Sequence, residues 1–239
     1  MFTKITLENF RSFDHIELDL TEKGNTAKHL AILYGENGAG KSNLMSAFVL
    51  LPELTRTMDA RAAYERILAQ GAIFQDENME KEMREHIRQR LRDMSAIIKD
   101  YQMADCENPI IAEYEFNIDG NNGCYRVEFG QDEILHERLE FVLNRRRGLY
   151  FDCSVTGINI NDSIVEKEQG KEFLTDVKEM AKRYWGKHSL LAILIYEMKD
   201  KSNSFGRDNI TENFNVVLNE FRNLSCTVSM GDKSWEGLH

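Results

Sequence analysis

The stretch Leu30-Ala31-Ile32-Leu33-Tyr34-Gly35-Glu36-Asn37-Gly38-Ala39-Gly40-Lys41-Ser42-Asn43-Leu44 decides how the chain is built. Its first part, Leu30 to Tyr34, is a short apolar run between polar neighbours, the pattern of a strand buried on both faces. Gly35, Gly40, Lys41 and Ser42 then match every fixed position of G-x-x-x-x-G-K-[ST], a Walker A phosphate loop. From Ser42 to Leu51 apolar side chains recur at helical spacing, and Pro52 discourages continuation. Strand, glycine loop and helix in succession are the context the motif requires. Glycines let successive N–H groups turn toward one oxyanion, aided by the N-terminus of the helix. In such a loop Lys41 reaches the β- and γ-phosphates and the Ser42 hydroxyl ligates magnesium, so ATP with Mg2+ is the expected ligand.

On the N-terminal side, alternation over Phe2–Leu7 and His15–Leu20 predicts two paired strands. Phe10 and Phe13 between them are expected to plug one end of the core. On the C-terminal side, Met83, Ile87, Leu91, Met94, Ile98 and Tyr101 recur at spacings of three and four, which predicts one amphipathic helix over Met79–Tyr101. Its apolar face packs on the domain or docks a partner. Alternation over Ile110–Ile118 and Tyr125–Phe129, on either side of Gly120-Asn121-Asn122-Gly123, predicts a β-hairpin. Glu137–Leu143 and Gly148–Ile160 read as further strands, and Val165–Arg183 and Ile210–Leu224 as helices. Leu190–Ile195 is apolar throughout and fits a buried helix or a buried strand equally well.

The 239 residues carry a formal net charge of −10, so contact with a polyanion must rest on a local basic patch. Arg145-Arg146-Arg147 is the densest such cluster, and it reads either as a DNA phosphate contact or as a solvated turn. Cys106, Cys124, Cys153 and Cys226 form no C-x-x-C pair and are expected to be reduced. The histidines show no metal-ligand spacing. No apolar run reaches the ~18 residues of a membrane span, and the N-terminus lacks a signal-peptide core. A soluble, cytoplasmic protein with no membrane partner is expected.

Ile5-Thr6-Leu7-Glu8-Asn9-Phe10-Arg11-Ser12-Phe13, followed by the G-x-N-G-x-G-K-S loop and Asn43-Leu44-Met45-Ser46-Ala47, resembles the start of RecF/SMC-like ABC ATPases. Within that superfamily the hairpin over Ala112–Phe129 and the segment Ile134–Leu139 are similar to bacterial AAA ATPases of the OLD and abortive-infection type. The resemblance implies an α/β P-loop NTPase lobe of the ABC/SMC-head kind, with an antiparallel hairpin region and a helical insertion. It also implies head-to-head homodimerisation, work on DNA or in phage defence, and a protein effector as a further partner. By the same likeness Gly35, Glu36, Asn37, Gly38, Ala39, Gly40, Lys41, Ser42, Asn43 and Arg11 surround the nucleotide. Ser42 and Gln75, a Q-loop glutamine, would hold the metal.

The remaining motifs of such ATPases do not stand out. Ala192–Glu197 has the shape of a Walker B strand, but Tyr196 stands where an Asp must hold magnesium. Val228–Lys233 is similar to an ABC signature without the helix that follows one. The likeness therefore covers the N-terminal half of a family member. The expected division is 1–75 as the P-loop lobe, 76–104 as a helical insertion, 105–163 as a β-rich lobe, and 164–239 as a helical segment leading to a further ATPase half. The expected function is that of an ATP-binding segment whose hydrolysis needs motifs from elsewhere, with catalytic residues unassigned. The alternative is a nucleotide-gated interaction module that meets a partner supplying those motifs.

Overall fold

The computed structural model describes residues 1–23, 26–70, 92–143, 146–166, 170–200, 209–224, 229–230 and 233–234. Strands β1 (Phe2–Phe10) and β2 (Phe13–Asp19) form an N-terminal hairpin, and helices α1 (Lys41–Leu54), α2 (Thr57–Gln70) and α3 (Met94–Tyr101) follow. A meander then runs through β3 (Ile110–Ile118), β4 (Asn121–Phe129), β5 (Ile134–Leu143), β6 (Arg146–Ser154) and β7 (Gly157–Ile160). Helices α4 (Gly170–Tyr184), α5 (Leu190–Asp200) and α6 (Glu212–Arg222) come next, and the short strands β8 (Ser229–Met230) and β9 (Lys233–Ser234) pair with each other. The main sheet has seven strands in the order β2-β1-β3-β4-β5-β6-β7, each antiparallel to its neighbours. This is the mixed α/β architecture expected of a P-loop NTPase lobe.

Burial alternates strictly along β3, so the sheet has one covered and one wet face. On the covered face Ile5, Leu7, Ala112, Tyr114, Tyr125, Val127 and Leu139 are fully buried with helix residues such as Leu50, Leu51 and Phe221. On the other face ion pairs cross the strands, Glu113 with Arg126 and Asp152 with Arg138, and Glu140 pairs with Arg138 along β5. Tyr114 carries its hydroxyl through the core and donates to the Ala47 carbonyl at 2.7 Å, which ties α1 to the middle of the sheet. Such a bond satisfies a polar group whose burial would otherwise cost about 1–3 kcal/mol.

Leu190–Ile195 is a helix, and its start explains the choice. Ser189 caps it by accepting from the Ala192 N–H at 3.0 Å, and its own hydroxyl donates to the Leu54 carbonyl that ends α1 at 2.8 Å. Glu137, fully buried on β5, accepts from the Leu190 N–H at 2.7 Å, the Trp185 indole at 3.0 Å and the Tyr125 hydroxyl at 3.0 Å. Burial nevertheless pushes its pKa up to about 7. Ala192–Glu197 therefore belongs to a helix, and the Walker B likeness of that stretch is lost.

Two other expectations change. Leu30–Tyr34 is not a buried strand: it lies outside the sheet, with Leu30 75%, Ile32 74%, Leu33 38% and Tyr34 92% exposed. The chain leaves the sheet after the Thr21–Ala27 bridge and the Lys28 N–H bond to Leu20, and among the described residues no strand lies beside the run. A strand can be buried on both faces only where such neighbours exist. Met79–Tyr101 is not one helix either. α3 begins at Met94 because Asp93 is an N-cap, extended at φ −76° and ψ 170°, with its carboxylate accepting from the Ala96 N–H at 2.9 Å. Met94, Ile97, Ile98 and Tyr101 then face the core; Met79–Leu91 lies outside the described residues. Pro52 sits inside the last turn of α1, which ends two residues later.

Candidate functional site

The glycine loop runs from exposed coil into the first turn of α1. Gly38 and Gly40 have φ of 88° and 82°, left-handed values that glycine adopts without a Cβ penalty. A Cβ on Gly40 would also lie 2.7 Å from the Phe13 ring, so packing and dihedral both exclude a side chain there. Gly40 stands at the N-cap with no side chain to bond the first N–H groups of the 14-residue helix. Those donors and the helix dipole form an anion-binding end. The Lys41 ammonium donates to the carbonyls of Gly35 at 2.8 Å and Glu36 at 2.6 Å, which holds its charge at the mouth of the loop. Ser42 is exposed beside it. The arrangement fits the phosphates of a nucleotide: free N–H donors, one fixed cation and a hydroxyl at the magnesium position.

The turn between β1 and β2 forms one wall. Ser12 Oγ accepts from Asn43 Nδ2 at 2.8 Å, and Phe13 lies on Gly40. Phe10 is buried and plugs the core, and half-buried Phe13 packs against the same core while its ring also lies on the loop at Gly40. Arg11 lies in the same turn, over the Tyr101 ring, with its guanidinium carbon 5.0 Å from the centroid. The structure thus brings Arg11, Gly40, Lys41, Ser42 and Asn43 into one neighbourhood. Gln75 lies outside the described residues. The place of Ser12, Phe13 and Tyr101 at the site escaped sequence reading, because the loop motif says nothing about which turn will pack on it.

The described members of the arginine cluster sit on β6, and Arg147 pairs with Glu140 at 2.8 Å, which leaves less charge for a phosphate. Arg145 lies outside the described residues. Cys106, Cys124 and Cys153 are free thiols. Among the described residues no group of three or more His, Cys, Asp or Glu could hold a metal ion, and no helix is long and apolar enough to cross a membrane.

A glycine loop opening a helix beside an antiparallel sheet defines a P-loop nucleotide-binding protein. The family model of the AAA ATPase domain matches residues 1–226, and the chain belongs to that family. Membership implies an ATP-binding, ATPase-type function and, as is usual in the family, use of magnesium. Among curated proteins none matches the chain.

Proposed function

We propose that this chain is the ATP-binding portion of a RecF/SMC-like ATPase of the OLD and abortive-infection type, in which Gly35–Ser42, Asn43 and Arg11 hold ATP–Mg2+. Hydrolysis then requires a Walker B carboxylate pair and a signature contributed by a further part of the polypeptide or by a partner. One observation carries this reading: left-handed Gly38 and Gly40 open α1 with the Lys41 ammonium held across the loop, while the Walker B-like stretch Ala192–Glu197 belongs to a helix. A phosphate loop without a second carboxylate position can bind magnesium nucleotide but has nothing to order the attacking water. Lobe boundaries at residues 75, 104 and 163 belong to the same reading. So does work on DNA or in phage defence, which rests on the N-terminal resemblance alone.

Calorimetric titration with ATP–Mg2+ tests the assignment. Lys41→Ala is expected to weaken binding by about 1.5–3 kcal/mol, the worth of a charge-assisted phosphate contact. The native chain alone is expected to turn over more slowly than ~1 s−1. Equal affinity in two folded proteins would remove the loop from the site, and faster turnover would mean that the chain holds its own catalytic carboxylate.

A further inference from the structure

The turn that walls the glycine loop is held in an unfavourable backbone conformation. Asn9 and Arg11 both have positive φ, 52° and 53°, although neither is glycine. Non-glycine residues persist there only where their surroundings fix them. The fixing comes from α3 and the segment after it. The Tyr101 carbonyl accepts from the Arg11 N–H at 2.7 Å, the Met103 N–H donates to the Asn9 carbonyl at 3.2 Å, and Asn9 Nδ2 donates to the Pro109 carbonyl at 2.8 Å.

Tyr101 is anchored in turn. Its ring stacks on Phe10 with centroids 5.2 Å apart, and its hydroxyl donates to Glu53 Oε2 at 2.9 Å. Glu53 lies on α1, the helix that opens with Lys41 and Ser42, and Arg92 bridges it to Asp100. The Arg11 guanidinium lies over the same ring, its carbon 5.0 Å from the centroid, and the Arg92 guanidinium lies 5.8 Å from it, both in cation–π range. Arg11 Nε is buried and has no hydrogen-bond partner among the described residues. A buried donor left without an acceptor is uncommon, and a water or a ligand atom completes it.

We propose that Tyr101 is a positioning residue for nucleotide binding: its ring and carbonyl hold Arg11, and its hydroxyl bond to Glu53 locks that assembly to the helix bearing Lys41. Arg11 is thereby fixed in the turn whose Ser12 and Phe13 pack on Asn43 and Gly40, and α3 becomes the strut that keeps this turn in register with α1. This deepens the ATP-binding reading above and rests on it.

A double-mutant cycle measured by ATP–Mg2+ titration tests the strut, with native protein, Arg11→Ala, Tyr101→Leu and their combination. Arg11→Ala is expected to weaken binding about 10-fold, the loss of one charge-assisted contact. Tyr101→Leu should come close to that value, and the double variant should lie within about 2-fold of Arg11→Ala, because the tyrosine acts only through the arginine. If circular dichroism shows Tyr101→Leu to be unfolded, Tyr101→Phe replaces it: the ring stays, the Glu53 bond goes, and an expected loss of about 3-fold vanishes in the Arg11→Ala background. Losses that add in the double variant would make Tyr101 merely structural and overturn the proposal. An Arg11→Ala protein with native affinity would overturn it as well. Either failure leaves the phosphate-loop reading intact, since that stands or falls with Lys41→Ala.

Discussion

Two apolar runs in this chain have similar composition and opposite fates. Leu190–Ile195 is buried to within 2% along its whole length, whereas Leu30–Tyr34 stands in solvent. The first meets a cap from Ser189, a carboxylate from Glu137 and the end of α1. The second meets none of these, because among the described residues the sheet ends at β2. Hydrophobicity alone therefore does not decide whether a segment is covered; the partners around it do. At the phosphate loop the described residues leave Leu30–Tyr34 bare beside the nucleotide site.

The contrast can be broken most forcefully in the buried run. Leu194→Ala removes a fully enclosed side chain and is expected to cost about 2–5 kcal/mol in urea denaturation. A loss under ~1 kcal/mol would mean that the run is not the core element described.

A comparable free energy is hidden in the pH dependence. Glu137 has its pKa pushed by burial from 4.5 to about 7, so between those values the folded chain holds a proton that the unfolded chain has lost, and stability falls as pH rises. His188, beyond the end of α4, is shifted the other way: burial first, then the Arg61 charge, lowers its pKa from 6.5 to about 4. There the unfolded chain binds the extra proton, so stability rises with pH over that window. Each effect amounts to roughly 3 kcal/mol when fully expressed, and in the native chain they largely cancel. Glu137→Gln is expected to expose the rise and His188→Asn the fall, read as opposite slopes of the urea midpoint between about pH 4 and pH 8. Two variants with the same slope would refute the cancellation.

The smallest effect is the sharpest test of the bare run. Ile32→Ser should change the stability of this chain by less than about 0.5 kcal/mol, since an exposed side chain has little burial to lose. A cost above ~1 kcal/mol would show that this polypeptide already covers the run.

What could be read in advance follows the same division. The glycine loop, the hairpins and the helical nature of Gly170–Tyr184 and Glu212–Arg222 were legible because each rests on local chemistry: glycines at fixed spacing, period-two alternation, or apolar residues at helical spacing. The exposure of Leu30–Tyr34 was not, since burial depends on neighbours that a local pattern cannot count. The break before α3 was present in the sequence as Asp93, an N-cap type inside an otherwise periodic stretch, and periodicity outweighed it. The seating of Phe13 on Gly40 and of Arg11 on Tyr101 joins residues far apart in the chain, and nothing in either segment alone specifies its partner.

The pairing of β1 with β3 has a consequence in time. β1 leaves the ribosome before β3, the strand that flanks it on the side away from β2 and follows roughly 100 residues later, a delay of about 5–20 s at ordinary rates of synthesis. Until then β1 and β2 form only a two-stranded hairpin, which is marginal alone in water. The Tyr101 and Pro109 carbonyls that fix the strained turn against the glycine loop arrive in the same interval. The phosphate loop is thus made before the segment that fixes the turn packed against it.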